Sequence, residues 1–290
     1  MKYALIDGYN LAFRAFYGMP DLTRADGFPT GAIHGWVRSL WWVEDHLSPD
    51  CMVVFFDLGG AARQEALSAD YKAHRVETPE ALRQQLPWIK DWTRAMGYLG
   101  IEKHRVEADD LIAAYAQKLG VPENEVVIVS ADKDLGQLVT ANVHQLLPPP
   151  TANPKLGWRR MDPHAIEERI GLPPAKIPDY LALIGDAVDN IAGLKGVGPK
   201  TAVKWLRKYG SVGEIIAHCG ELEPKRFQAV VHADQEILRR NLEMTRLDPV
   251  HAVDPLDGDS RNPAEVVRIL EEMEMTSSAR QARKRLGILD

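Results

Sequence analysis

The segment VVIVSADKD, residues 126–134, joins four consecutive apolar β-branched residues to two aspartates within the next five positions. A short apolar run of this kind, bounded by turn-forming residues, is typical of a buried strand in a parallel sheet. Two earlier segments have the same form, namely YALID at residues 3–7 and MVVFFD at residues 52–57. The sequence therefore predicts three buried strands that each lead into aspartate.

The first half of the chain alternates these strands with longer amphipathic segments, which is typical of an α/β fold with a mainly parallel sheet flanked by helices. Weaker strand candidates lie at residues 98–101 and 143–147. A further helix is predicted to begin with Thr78 as its cap and Pro79 in its first position. Pro87 is expected to kink this helix or break it in two.

The segment LLPPPTANPKLGWRR, residues 146–160, is rich in turn-forming residues and is predicted to be an exposed connection. The pattern after Asp162 is mostly helical. We therefore predict an α/β domain over residues 1–175 and a smaller helical domain over residues 176–290, with the boundary near residues 173–178.

The composition is that of an ordinary globular protein: 45% of the 290 residues are hydrophobic and 26% are charged, which excludes a disordered or collagen-like chain. The apolar runs are too short for a membrane span or a signal peptide, so we expect a cytoplasmic protein without membrane contacts. The two cysteines, Cys51 and Cys219, have neither disulfide-framework nor zinc-ligand spacing, in keeping with a reducing compartment.

Acidic residues concentrate at three places where strands end or helices begin. The carboxyl ends of parallel strands meet at one edge of a sheet, so the aspartates after the three strands should converge there. A second acidic group opens the predicted helix VEADDLIAAYA, and a third lies in LIGDAVDN. The predicted metal-binding carboxylates are Asp7, Asp57, Glu107, Asp109, Asp110, Asp132, Asp134, Asp186 and Asp189.

Nine carboxylates in one place would repel one another strongly unless cations held them together. All-oxygen ligands without His or Cys favour hard divalent ions, so the prediction is Mg²⁺ or Mn²⁺, with two ions rather than one. Such a pair can activate water and stabilise the leaving oxygen in phosphodiester cleavage. Setting the nine aside from the 41 acidic residues leaves 32 against 35 basic ones, so the net charge of −6 does not exclude a nucleic-acid substrate.

Six motifs together resemble the 5′-nuclease family, which comprises 5′–3′ exonucleases, flap endonucleases and the N-terminal 5′-nuclease domain of bacterial DNA polymerase I. They occur in the family's order and cover nearly the whole chain. The motifs are LIDGYNLAFRAF, VVFFD, DYKAHRVETPEALRQQL, VEADDLIA, VSADKDLGQLV and LIGDAVDNIAGLKGVGPKTA.

The resemblance implies a PIN-like nuclease core followed by a helical domain of helix-hairpin-helix type. It implies that the nine carboxylates hold the divalent ions, directly or through water. Arg14, Lys72 and Arg75 match basic residues that contact the scissile phosphate, and Tyr71 matches an aromatic residue that can stack on a base. Residues 69–97 match the helical arch under which the 5′ single strand passes.

The glycine-lysine segment GLKGVGPKTA, residues 193–202, resembles the hairpin of a helix-hairpin-helix motif spanning about 185–209. Its glycines permit turns whose N–H groups can face a phosphate, and lysines at i, i+4 and i+8 then form a basic stripe. The family resemblance also implies K⁺ at this hairpin. A P-loop is excluded because Pro199 occupies the position of its lysine. The predicted DNA contacts are Gly193, Gly196, Gly198, Lys200, Thr201, Lys204 and Lys208.

The predicted function is a Mg²⁺-dependent, structure-specific 5′ nuclease that cleaves 5′ flaps and 5′ ends of duplex or branched DNA in replication and repair. We expect a monomer, with a DNA polymerase as a possible partner in trans. Two alternatives remain open at this point: a nuclease on the same scaffold that acts on RNA or an RNA–DNA hybrid, and a non-catalytic module that binds branched DNA. Whether the chain is free-standing or part of a longer polymerase also remains open.

Overall fold

The computed structural model describes residues 1–68, 70–72, 77–251, 253–256 and 260–288. Its centre is a sheet with the strand order β3-β2-β1-β4-β5-β6, in which all pairs are parallel except β5 with β6. The strands are β1 (Lys2–Asp7), β2 (Cys51–Asp57), β3 (Leu99–Lys103), β4 (Glu125–Val129), β5 (Val143–Leu147) and β6 (Arg159–Met161).

The five predicted strands and the mainly parallel sheet are confirmed. Strand β6 was not predicted, since its three residues are two exposed arginines and one inward-facing methionine. So short a polar edge strand has no apolar run that could reveal it.

Helices cover both faces of the sheet. Alternate strand residues such as Ile6 and Val54 pack against α1, α2 and α4, while Leu5 and Val53 pack against α5 on the other face. The helices are α1 (Gly8–Gly18), α2 (Gly31–Leu47), α3 (Ala62–Leu67), α4 (Glu80–Ala95), α5 (Ala108–Leu119), α6 (Pro163–Ile170), α7 (Ile177–Ile184), α8 (Pro199–Tyr209), α9 (Val212–Ala217), α10 (Arg226–Ala233), α11 (Gln235–Thr245), α12 (Pro263–Glu272) and α13 (Thr276–Leu286).

Helix α4 differs from its prediction at two points. It begins at Glu80 with Pro79 as the N-cap and no side-chain cap bond, so the capping role of Thr78 is wrong. It also runs unbroken through Pro87, which lies on the exposed face of the helix. Proline has no N–H to donate to the carbonyl four residues earlier, but water can hydrogen-bond to that carbonyl on the exposed face. The buried residues Leu82 and Ile89 hold the helix on the sheet.

The arch over residues 69–97 stays a prediction. Its second half contains α4, which flanks the sheet and buries its apolar face in the core. The helical spacing of its apolar residues already indicated such a buried face. Of the first half, residues 69 and 73–76 lie outside the described part of the chain.

A second hydrophobic core begins at Leu172 and is built from α7 to α11. This separate core supports the proposed boundary near residue 175. Within it, the apolar pattern of LALIGDAVDN is typical of a helix, but α7 ends at Ile184, and two short strands, β7 (Gly185–Asp186) and β8 (Ile191–Ala192), form a hairpin.

The last two helices do not belong to this second core. Ile269 and Leu270 of α12 belong to the core on one face of the sheet, where α12 contacts α4, and Ala279 and Ala282 of α13 belong to the same core. The prediction that residues 176–290 form one helical domain is therefore wrong for Pro263–Leu286. No helix in the described part of the chain is both long and apolar enough to cross a membrane.

Candidate active site

The carboxyl edge of the sheet opens into an acidic cleft of about 460 Å³. Strands β1 and β2 end in Asp7 and Asp57, and the turn after β4 adds two further aspartates, as the strand pattern predicted. Helix α5 and the β7–β8 hairpin complete the lining. The acidic residues that line this cleft are Asp7, Asp57, Glu107, Asp109, Asp132, Asp134, Asp186 and Asp189.

Asp7 is buried at the end of the central strand and caps helix α1. Its carboxylate accepts hydrogen bonds from the Ser130 hydroxyl at 2.7 Å and from the Asn10 backbone N–H at 3.1 Å. The pKa of Asp7 is raised to about 7, chiefly by burial and with a contribution from the negative charges of Asp132 and Asp57, while these two hydrogen bonds oppose the shift. A nearby cation would stabilise its ionised form.

Asp134, Asp186 and Asp189 form the tightest acidic group, with one oxygen of each within 4.8 Å of the others. Burial raises the pKa of Asp134 to about 8, and the charges of Asp132, Asp186 and Asp189 contribute in the same direction. Lys133 forms an ion pair with Asp186 at 2.9 Å. This group joins the sheet edge to the β7–β8 hairpin.

The start of helix α5 supplies a further pair of carboxylates. Glu107 is the N-cap residue, and the Ala108 backbone N–H beside it donates to Asp57 at 2.8 Å. Burial raises the pKa of Asp109 well above its usual value, and the charges of Asp132 and Asp7 act in the same sense. Burial also raises the pKa of Glu107, although the ammonium of Lys72 opposes that shift.

Asp110 is the one predicted carboxylate that does not line the cleft. It accepts hydrogen bonds from the Asp248 backbone N–H at 2.8 Å and from Gln64 Nε2 at 3.3 Å, and it lies 3.5 Å from the guanidinium of Arg63. Adjacent positions on a helix point about 100° apart, so Asp109 and Asp110 cannot both face the cleft.

Lys72 and Tyr71 lie at the mouth of the cleft. The Lys72 ammonium lies 2.5 Å from Glu107 Oε1 and 3.7 Å from Asp189, above the Tyr71 ring. Tyr71 donates its hydroxyl to Glu107 at 3.2 Å, and burial raises the pKa of this phenol. Lys72 has a φ of 54°, a left-handed conformation that costs a residue with a side chain about 1–3 kcal/mol and is common at functional sites.

Arg14 lines the same cleft and donates a hydrogen bond to the Pro149 carbonyl. Burial lowers the pKa of Arg14, and the charge of Arg159 adds to this effect. Arg75, the third predicted phosphate contact, lies outside the described residues.

The predicted hairpin connects β8 to α8. Gly196 has a φ of 79°, and Gly198 is the N-cap of α8, with Pro199 in the first position of the helix as expected. Lys200 and Lys204 are exposed on α8, as is Lys208, which donates to the Tyr209 hydroxyl at 2.9 Å, and Thr201 is half-buried. A Cβ on Gly193 would lie 2.2 Å from the Ile184 carbonyl carbon, so close packing requires glycine there.

Several residues that line the cleft were missed as site residues in the sequence, among them two cationic and two aromatic side chains. Lys133 lies between two predicted ligands, which is a signal that could have identified it. Arg169 lies in the last turn of helix α6 and carries no such signal. Tyr9 and Phe13 are half-buried, and both pack against the core as well as lining the cleft.

The acidic cleft fits divalent cations by its donor chemistry. Several buried carboxylates with raised pKa values lie together, and the ligand set contains neither His nor Cys. Oxygen-only ligands of this kind suit Mg²⁺ or Mn²⁺. The closest group, Asp134, Asp186 and Asp189, could hold one ion. Asp109 lies close enough to Asp7 and Asp132 for their charges to raise its pKa, so a further cation would be favourable beside these three.

Comparison with known families places the chain in a class of nucleases. The profile of the family "5′-3′ exonuclease, N-terminal resolvase-like domain" matches residues 2–171, and "5′-3′ exonuclease, C-terminal SAM fold" matches residues 172–259. The chain therefore belongs to the 5′–3′ exonuclease family and is a nuclease, which decides against the non-catalytic alternative.

Two relatives differ in how much of their own length matches this chain. The chain is 35% identical over 281 residues to a 5′-3′ exonuclease of Aquifex aeolicus, with 97% of this chain and 94% of that protein covered. It is 33% identical over 290 residues to DNA polymerase I of Rhizobium leguminosarum, with 96% of this chain covered but only 28% of that polymerase. The chain spans about a quarter of the length of that polymerase.

Solved structures share the fold. T5 5′-exonuclease with bound zinc ions superposes with a TM-score of 0.71 at 24% identity, covering 93% of this chain and 99% of that one. The catalytic core of Rad2 in complex with a DNA substrate superposes with a TM-score of 0.65 at 14% identity, covering 100% of this chain and 92% of that one. The predicted nuclease core with a C-terminal helical domain is thereby confirmed.

Proposed function

We propose that this nuclease is a Mg²⁺- or Mn²⁺-dependent structure-specific 5′ nuclease that cleaves DNA at 5′ flaps and 5′ ends by using two ions. The observation that carries the proposal is the convergence of eight acidic side chains on one cleft at the carboxyl edge of the sheet. The solved Rad2 complex with DNA supports DNA as the substrate.

The residues of the cleft divide into two roles. The carboxylates, above all Asp134, Asp186 and Asp189, would hold the cations, and Asp110 would support the site from outside. Bound ions supply Lewis-acid polarisation of the phosphate and activation of a water nucleophile. No covalent intermediate between the protein and the nucleic acid is required.

The cationic side chains that line the cleft would orient the scissile phosphate. Lys72 and Arg14 lie on it together with Lys133 and Arg169. A positive side chain facing the charge that develops on a phosphoryl group lowers the barrier electrostatically. Lys72 is already placed between Glu107 and Asp189, so a phosphate bound there would share its ammonium with these carboxylates.

The hairpin and helix α8 would hold duplex DNA away from the cut. Lys200 and Lys204 project from α8 into solvent, and the N-terminus of α8 directs backbone N–H groups outward from Gly198. Such contacts bind phosphates without reading sequence. We propose that K⁺ binds at this hairpin, as the family resemblance implies.

The substrate proposal is tested with a 5′-labelled DNA flap and a matched RNA flap, each incubated with Mg²⁺ or with EDTA. The expected result is a cut at the junction of the DNA flap only when Mg²⁺ is present. Faster cleavage of the RNA flap would favour the RNA alternative, and cleavage unrelated to the junction would overturn structure specificity.

A further inference from the structure

Helix α11, Gln235–Thr245, contacts α7, α9 and α3, and none of the residues that line the acidic cleft belongs to it. It packs along α7, which leads directly into the β7–β8 hairpin. Three buried or half-buried polar side chains connect this helix to the cleft: Asn241 of α11 itself, Gln137 and Arg63.

Asn241 joins α11 to both sides of the hairpin. Its side chain is 1% exposed, and its Nδ2 donates to the Ala192 carbonyl at 2.8 Å and to the Ala182 carbonyl at 3.2 Å. These carbonyls flank the segment that carries Asp186 and Asp189. One amide group therefore fixes the entry and the exit of the turn that bears two proposed metal ligands.

Gln137 joins the end of α11 to the third member of the tight acidic group. Its Nε2 donates to the Asp134 carbonyl at 2.9 Å and to the Thr245 carbonyl at 3.0 Å. Its Oε1 accepts from the Leu247 backbone N–H at 3.1 Å. The backbone of Asp134 is thus connected to the same helix that holds the Asp186–Asp189 turn.

Arg63 joins the same end of α11 to helix α5. Its guanidinium donates to the Glu243 carbonyl at 2.8 Å and to the Arg246 carbonyl at 2.7 Å. It also pairs with Asp110 at 3.5 Å, and Asp110 is the neighbour of Asp109 in the cleft. Positive charge is favourable at the C-terminus of a helix, and basic side chains there can hydrogen-bond the last carbonyls of the helix. The contact of Arg63 with the end of α11 therefore has an electrostatic basis in addition to its geometry.

We propose that α11 is a positioning element for the metal site, in which Asn241 is the main residue and Gln137 and Arg63 anchor the helix. It sets the distance between the Asp186–Asp189 turn, which comes from the second core, and the carboxylates at the sheet edge. Asp110 contributes through Arg63 and not as a ligand. The inference rests on the proposed metal site.

The physical reason is that cation affinity depends on how closely the ligand oxygens are held to their bound positions. Partners that hold a ligand in place typically change metal affinity or activity by about 10–100-fold when they are removed. In Asn241→Leu, the side chain keeps a similar volume but loses both donors, so the carbonyls of Ala182 and Ala192 lose their partner and the turn can move.

The test measures Mn²⁺ binding by calorimetry without DNA, together with urea unfolding and flap cleavage at varied Mg²⁺. Asn241→Leu should bind Mn²⁺ about 10–100-fold more weakly and should recover cleavage as Mg²⁺ is raised, while the affinity for the flap in Ca²⁺ stays unchanged. If Asn241→Leu does not fold, Gln137→Leu carries the same expectation.

The matched control is Gln85→Leu. Gln85 is also a buried amide; it donates to the Ala81 carbonyl at 2.7 Å and accepts from the Ile33 N–H at 3.2 Å, away from the cleft. The Gln85→Leu variant should lose about as much free energy of unfolding as Asn241→Leu does, but it should bind Mn²⁺ with wild-type affinity. Equal Mn²⁺ affinity in Asn241→Leu and the wild type would overturn the positioning role, whereas a wild type that binds no Mn²⁺ would overturn the metal site itself.

Discussion

At the level of single residues, the cleft contains carboxylates that differ in their neighbours and therefore in their expected roles. Asp7 is buried and Asp134 is half-buried, and both lie beside other acids and have raised pKa values, whereas Asp110 is paired with Arg63 and hydrogen-bonded to Asp248. Both kinds look alike in the sequence, because VEADDLIA gives Asp109 and Asp110 the same local context. Only the helix direction distinguishes them.

The two neighbouring aspartates of α5 should respond differently to loss of charge. Asp109→Asn should reduce Mn²⁺ affinity and cleavage by more than about 100-fold, since it removes a ligand from the cleft. Asp110→Asn should destabilise the protein by about 1–3 kcal/mol, because it weakens a buried network around Arg63. Calorimetry and urea unfolding of both variants distinguish these outcomes, and identical Mn²⁺ affinities would contradict the assignment.

The raised pKa values predict how stability changes with pH in the metal-free protein. Asp7 and Asp134 keep protons in the folded state up to pH values of about 7 and 8, whereas an unfolded carboxyl loses its proton near pH 4. The folded state therefore binds more protons over this interval, and the free energy of unfolding falls as pH rises through it.

Thermal unfolding in EDTA between pH 5.5 and 8.5 measures this effect. The range covers the upper part of the interval, from about pH 4 to about pH 8, in which the folded state binds more protons than the unfolded state. The melting temperature should decrease with rising pH, and saturating Mg²⁺ should restore more of it at pH 8 than at pH 6. Asp7→Asn should flatten the profile. A melting temperature that increases with pH in EDTA would contradict these pKa directions.

At the level of elements, the β7–β8 hairpin was the least predictable part of the site. The sequence placed Asp186 and Asp189 in the right cluster by motif resemblance, but the apolar pattern of LALIGDAVDN favoured a helix. Gly185 explains the difference, since its φ of 80° ends α7 and its Cα lies against the backbone of the opposite strand. The spacing of the apolar residues in the sequence gives no information about this backbone constraint.

Gly185→Ala should disrupt the hairpin. An added Cβ would lie 2.3 Å from the Gly193 backbone nitrogen and 2.5 Å from the Ile191 carbonyl oxygen. We expect a loss of roughly 3 kcal/mol in the free energy of unfolding, together with weaker Mn²⁺ binding. Gly59→Ala is the control, because its φ of 85° is also left-handed but its Cβ would meet open space, which costs about 1–2 kcal/mol.

Helix α8 carries its own prediction. If Lys200 and Lys204 each neutralise a phosphate, the double alanine variant should weaken duplex DNA binding and reduce the slope of log K against log salt by about 1.8. Alanine at Lys118, exposed at the far end of α5 from Asp109, should leave the slope unchanged. An unchanged slope in the double variant would remove α8 from the DNA interface.

At the level of the whole molecule, the chain brings two hydrophobic cores together around one acidic cleft. The buried strands, the mainly parallel sheet and the strand-end aspartates could be predicted because β-branched runs followed by aspartate are local signals. The strand order could not, since it depends on pairing between distant segments. The packing of α12 and α13 on the first core could not, since an amphipathic helix does not indicate which apolar surface it covers. The position of Arg169 at the cleft likewise depends on contacts between distant segments.

The most direct test of the central claim is the single-turnover rate of 5′-flap cleavage as a function of Mg²⁺ for the wild type and Asp134→Asn. The wild-type rate should rise with Mg²⁺ from no product in EDTA, and Asp134→Asn should be slower by more than about 100-fold while it binds the flap in Ca²⁺ with nearly unchanged affinity. Cleavage by the wild type in EDTA, or an equal rate in Asp134→Asn, would contradict the account.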